Sequence, residues 1–138
     1  MNYIGWATVA MLGYGLTAVL LKVSLRHFPP EVALVITNTI LVASGVGLMI
    51  ARGTSFSTHL TIGWPTAVVA TAGVALSVSI ISYYFALSRG PASVVVPIFA
   101  MNFAVASVLG ILFLGEDIRF TRVVGVLMAT GAIVLLAR

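Results

Sequence analysis

The sequence predicts an all-α integral membrane protein with five transmembrane helices. Of its 138 residues, 61% are hydrophobic and only 7% are charged, whereas a soluble domain carries about 25% charged residues. Five apolar stretches reach the roughly 20 residues that a helix needs to cross the hydrocarbon core. Helices are favoured because membrane-spanning strands are shorter and alternate apolar with polar residues. A water-soluble globule and a disordered chain are therefore excluded.

Several functional classes are excluded by what the sequence lacks. It has no Cys, so a disulfide scaffold, a thiolate metal site and a cysteine nucleophile are ruled out. The net charge is +4, but the seven basic residues are scattered singly, which argues against nucleic acid as a partner. No nucleophile–base pair and no phosphate-binding glycine loop is visible, so the sequence predicts neither an enzyme nor a cofactor or metal site.

The five spans predict a single transmembrane domain over residues 1–138. A cleavable signal peptide is the alternative for the first span, but Lys22 and Arg26 follow the apolar run instead of preceding it, which favours a permanent helix. The predicted spans run about Tyr3–Leu25, Glu31–Ala51, Trp64–Leu87, Ala92–Leu114 and Arg119–Ala137.

Proline, glycine and polar residues separate the spans in order. Pro30 suits the first turn of the second helix. The stretch 52–59 is the longest polar segment and predicts a loop, after which Trp64-Pro65 predicts the start of the third helix at the membrane interface. Gly90-Pro91 predicts a helix stop and a tight hairpin between the third and fourth spans.

The basic residues show almost no bias between the two sides of the membrane. With five spans, three Lys or Arg residues share the side of the N-terminus and four lie on the other. One flank could still dominate and set a single orientation. The alternative is dual topology with antiparallel pairing, which reproduces the inverted repeat of many transporters. The first set is Arg52, Arg119 and Arg122; the second is Lys22, Arg26, Arg89 and Arg138.

Polar residues within the first span are candidates for a translocation pathway. Tyr14 and Thr17 are three positions apart and share a helix face. Lys22 follows Tyr14 by eight positions, roughly 80° round the helix at about 100° per residue. Lys22 could bind a carboxylate or phosphate, in which case Lys22→Ala would weaken uptake of anionic solutes, or it could extend to the lipid headgroups.

The later spans add further candidates. Asn38 lies mid-membrane and must face protein or a wet cavity, as a substrate contact or as a link between helices. Ser79 and Tyr83 belong to a small, faintly polar stripe that fits a pathway or close helix packing. Pro97 bends the fourth span and is a candidate gating kink, and Asn102 follows within two turns.

The charges and small residues near the last span suggest structural roles. Glu116, close to Arg119 and Arg122, is interpreted as part of an interfacial ion pair, and Asp117 could cap the fifth helix. Gly125 and Ala129 form a small-xxx-small pair suited to helix contact.

Turns and small residues recur in a specific order along the second half of the chain. They are the Ala86–Ser93 turn, Pro97, Leu114-Gly115-Glu116, and Gly125 with Gly131. This pattern resembles the EamA family of the drug/metabolite transporter superfamily. The resemblance is strong over the last three spans and looser over the first two, through Gly13-Tyr14-Gly15 and Lys22.

The resemblance implies a transporter of small polar metabolites working by alternating access. Members of the family usually have ten spans in two five-helix halves of opposite orientation, so this chain corresponds to one half. We expect it to pair with a second copy, or with a paralogue, in a prokaryotic inner membrane. The candidates for its pathway are Tyr14, Lys22, Asn38, Ser79, Tyr83 and Asn102.

Two alternatives to that function remain open at the level of sequence. Small multidrug-resistance exporters have four spans and a glutamate in the first, whereas no Asp, Glu or His lies in the middle of any span here. A non-transporting accessory subunit is the other alternative, and it would need one fixed orientation.

Overall fold

The computed structural model describes residues 2–56, 62–115 and 120–136. These residues form six helices and no strand, which confirms the predicted all-α class. The helices are α1 (Tyr3–Ser24), α2 (Pro30–Ala51), α3 (Trp64–Arg89), α4 (Ala92–Ala100), α5 (Asn102–Leu114) and α6 (Phe120–Leu136).

Four helical stretches are long and apolar enough to cross a membrane: α1, α2, α3, and the continuous 23-residue stretch Ala92–Leu114 formed by α4 and α5. Within the described residues the fifth span is shorter, because α6 has 17 residues and reaches about 25 Å at 1.5 Å per residue. That length lies at the lower limit for crossing the hydrocarbon core. The lengths and compositions agree with an integral membrane protein of about five helices.

The helix boundaries follow the predicted proline and glycine signals. Helix α2 begins at Pro30, and α3 begins at Trp64 with Pro65 in its first turn. Helix α3 ends at Arg89, and Pro91 is the N-cap residue of α4 with φ −67°, so the predicted helix stop is confirmed. Gly115 ends α5 with φ +64°, a left-handed conformation that favours glycine.

The fourth span, in which Pro97 was predicted to bend the helix, is interrupted at Met101, which separates α4 from α5. Pro97 has no N–H, so the Ser93 carbonyl lacks its usual helical donor. One turn later the backbone tightens. The N–H of Met101 donates to the Ile98 carbonyl at 3.1 Å, and that of Ala104 to the Met101 carbonyl at 3.0 Å. These are bonds between residues three positions apart, typical of a 3₁₀ turn.

The chain divides into two compact units. One unit contains Met1–Val19 and Arg89–Arg138, and the other contains Leu20–Ser88. In the first unit, α6 packs against both α4 and α5. In the same unit the ring of Tyr14 stacks on Phe99, with ring centroids 6.1 Å apart and planes 11° apart.

In the second unit, side chains are buried at one end of the α2–α3 hairpin only. No residue of 39–51 or 64–79 is buried, and apolar side chains such as Val42, Ile50 and Val69 remain exposed along this part. A lipid environment or a protein partner is what such apolar faces require. The buried side chains of this unit are Leu21, Ala33, Tyr83, Tyr84 and Leu87.

Candidate functional site

Lys22, in the last turn of α1, is bonded to the end of α3. Its Nζ donates to the carbonyl oxygen of Leu87 at 2.6 Å, and Leu87 is fully buried. In a continuing helix this carbonyl would accept from the residue four positions later, but that residue is Pro91, which has no N–H. Lys22 therefore caps the C-terminal end of α3, where a cation is also favoured by the helix dipole.

This cap explains the position of the Lys22 ammonium group without requiring an anionic ligand. An ammonium group has three donors, so this bond does not test whether Lys22 also binds a carboxylate or phosphate. That role remains a prediction.

A hydrogen bond between side chains joins α2 to α3 in the same region. The Thr37 hydroxyl donates to the Ala33 carbonyl at 2.9 Å. The same Thr37 Oγ1 forms a 2.6 Å hydrogen bond with the Tyr84 hydroxyl. Tyr83 meets the edge of the Tyr84 ring, with centroids 6.4 Å apart. Tyr83, a predicted pathway residue, is thus part of the packed end of the hairpin.

We expect Tyr84→Phe to lower the free energy of unfolding by about 0.5–1.5 kcal/mol, the net contribution of one hydrogen bond. Tyr84 is only 6% exposed and the bond is part-buried, so water compensates only in part for the lost partner. Thermal unfolding of the detergent-solubilised chain measures the change. Tyr3→Phe is the matched control, because Tyr3 is 83% exposed. Equal stability of the two variants would contradict a stabilising Thr37–Tyr84 bond.

A cavity of about 290 Å³ adjoins this packed end, between α2 and α3. Asn38 contributes its carboxamide, whose Nδ2 donates to the Leu34 carbonyl at 2.8 Å. Ser77 contributes a hydroxyl that donates to the Gly73 carbonyl at 2.8 Å. The remaining lining is apolar: Leu34, Val35, Leu76, Ile80 and Ile81.

Ser77 is the site residue that sequence reasoning missed. The signal was present, because Asn38 lies 13 residues before Ala51, the last residue of α2, and Ser77 lies 13 residues after Trp64, the first residue of α3. Equal distances from the connecting loop place two residues at the same depth of an antiparallel hairpin. The predicted Ser79 lies in the same helix but is not part of the cavity lining.

The other predicted pathway residues belong to the first unit. Tyr14 is half exposed and stacked on Phe99, Pro97 lies inside α4, and Asn102 is the exposed first residue of α5. The predicted ion pair of Glu116 with Arg119 and the Asp117 cap fall outside the described residues, as does the side chain of Arg122.

The membrane-length helices define a multi-pass membrane protein, with a small cavity at mid-helix depth between α2 and α3. Comparison with known families identifies the family of this protein: the chain matches the EamA-like transporter family over residues 1–138. It therefore belongs to that family and is a membrane transporter.

A curated relative supports this assignment. The chain is 28% identical over 131 residues to an uncharacterized transporter in cobO 3'region from Sinorhizobium sp, and the alignment covers 94% of this chain and 93% of the relative. The two chains are thus of nearly equal length. No solved structure gives a significant match.

Proposed function

We propose that the chain carries small polar or zwitterionic metabolites across a prokaryotic inner membrane by alternating access, as a dual-topology, antiparallel homodimer. The observation that carries this proposal is the near-equal count of basic residues on the two sides, three against four, in a chain of five helices. Such a balance lets copies insert both ways. Two oppositely oriented copies form the inverted pair on which alternating access depends in many transporters.

Two further features support the proposal. The transporter relative has nearly the same length, so a chain of this size recurs in the family. The cavity between α2 and α3 offers a carboxamide and a hydroxyl but no charged side chain, which suits a small solute that is neutral overall.

The test is uptake of labelled amino acids and related small solutes into lipid vesicles that contain only the purified chain. We expect saturable uptake that exceeds empty vesicles, and a mass in detergent that corresponds to two copies. A chain that stays monomeric and moves no solute unless another membrane protein is added would contradict the proposal and favour an accessory subunit.

A further inference from the structure

We infer that the cavity between α2 and α3 binds the hydrogen-bond-donating group, amino or hydroxyl, of a small solute with an apolar body. This inference rests on the proposed transport function and specifies the chemistry of its substrate. It depends on the orientations of Asn38 and Ser77 and on the apolar character of the remaining wall.

The orientation of the Asn38 carboxamide is decided by its local bond. A carbonyl oxygen only accepts, so the group 2.8 Å from the Leu34 carbonyl must be the Nδ2 amide. The acceptor Oδ1 is therefore left for other partners, and no hydrogen bond to it occurs among the described residues. An amide oxygen accepts through two lone pairs.

Ser77 adds acceptors of the same kind. Its only proton is directed to the Gly73 carbonyl, so toward other partners the hydroxyl oxygen acts as an acceptor. Together the two side chains present up to four lone pairs, against the one remaining N–H of Asn38. A ligand that complements this wall must donate, and primary amines and alcohols do so.

The apolar wall and the volume of the cavity restrict the part of the solute that carries the donor group. Its apolar wall includes Leu34, Leu76 and Ile80, which favour a hydrocarbon body. A volume of about 290 Å³ is at the lower limit for a ligand pocket, so the solute is small. The lining has no charged side chain. A carboxylate would find no donor there beyond the remaining N–H of Asn38 and would lie outside the cavity, because burying an unpaired charge is costly. An ammonium group, by contrast, is stabilised by charge-assisted hydrogen bonds to the Asn38 and Ser77 oxygens.

A lipid acyl chain is the obvious competing occupant. It would satisfy the apolar wall, but it has no donor for Asn38 or Ser77. Polar groups left without partners in a hydrocarbon environment are unfavourable. The two acceptors at one depth therefore favour the donor-bearing solute.

The experiment uses the full chain in lipid vesicles and nanodiscs, with L-leucine and its N,N,N-trimethyl derivative as probes. The pair shares the carboxylate and the branched body and differs in the three N–H donors. Binding is measured by equilibrium dialysis with nanodiscs, and flux is measured separately with vesicles. We expect the trimethyl derivative to bind about tenfold more weakly, as for the loss of one hydrogen bond to an otherwise unpaired acceptor.

Two variants test the residues themselves. Asn38→Leu keeps the size of the side chain but removes its acceptor, and Ser77→Ala is the milder change. We expect each to reduce the preference for L-leucine over the trimethyl derivative. Thr39→Val and Ser82→Ala are matched controls, because Ser82 also donates to its own helix, to the Val78 carbonyl, and neither residue lines the cavity.

The outcomes separate this inference from the proposed function. Binding that discriminates between the probes through Asn38 or Ser77 supports the inference even if no flux is observed. The absence of flux would then count against the proposed transport function. Flux of both probes that is insensitive to Asn38→Leu and Ser77→Ala overturns the inference and leaves transport standing. Absence of both binding and flux overturns both, and a lipid chain becomes the occupant.

Discussion

Replacing Lys22 with methionine is expected to lower the free energy of unfolding by about 1–3 kcal/mol, the cost of leaving a buried acceptor without its donor. Methionine keeps an apolar stem that covers the same surface but removes the Nζ bonded to the Leu87 carbonyl. Leu87 is fully buried, and Pro91 cannot donate in place of the lysine.

Unfolding of the detergent-solubilised chain, by heat or by a graded increase of sodium dodecyl sulfate, measures the effect. Lys22→Arg retains a cationic donor and should recover most of the loss. Arg26→Met is the control for removal of a basic residue, since Arg26 lies exposed in the turn after α1. If Lys22→Met were as stable as Arg26→Met, the cap would have no energetic role.

The same variants separate the cap from a role of Lys22 in binding anions. Loss of the cap lowers stability without any solute present. Loss of an anion site instead weakens uptake of anionic solutes selectively, while the solute-free unfolding temperature stays unchanged. The structure leads us to expect the first result.

Under the proposed dual topology, Arg52→Ala is expected to convert a mixed population of orientations into one with the N-terminus outside. The substitution leaves two basic residues on the N-terminal side of the membrane against four on the other. The side richer in Lys and Arg is retained in the cytoplasm. Arg26→Ala should shift the distribution the opposite way, toward equal populations, because it leaves three basic residues on each side.

Single cysteines report the orientation without background, because the chain has none of its own. His27→Cys marks the turn between α1 and α2, and Thr54→Cys marks the segment after α2; both positions are exposed. A membrane-impermeant maleimide applied to whole cells should label a fraction of each in the otherwise unchanged chain. In Arg52→Ala the N-terminal side faces outward, so the label should be found almost entirely at Thr54→Cys and hardly at all at His27→Cys.

Glu31→Gln is the control for this experiment, because acidic residues contribute little to orientation. It should leave the labelling pattern as it was. Labelling of one site alone in the unsubstituted chain would exclude the antiparallel homodimer. The chain would then form a parallel dimer or pair with an oppositely oriented partner.

Much of the fold could be predicted because membrane insertion depends on local sequence. Helix starts at Pro30 and Trp64, and the stop before Pro91, agree with the structure to within two residues. The separation of α4 from α5 at Met101 was not predicted. Pro97 identifies the helix that is disturbed, but where the backbone tightens depends on how the surrounding turns adjust.

The candidate site was only partly predictable. Asn38 was identified because an amide at mid-membrane needs a partner or a cavity, whereas Ser77 resembled the other serines of α3. Its role depends on which residue of α3 lies beside Asn38. That pairing depends on how α2 and α3 pack against each other, and the helical periodicity of either segment alone cannot predict it.

The sequence by itself determined that this protein is helical, lies in a membrane and resembles one transporter family, because composition, span length and turn residues act locally. Only the tertiary structure decided what Lys22, Tyr84 and Ser77 do. Lys22 meets Leu87, 65 positions away along the chain, and Thr37 meets Tyr84 across 47 positions. Contacts over such separations depend on how helices pack against one another, which no single span encodes.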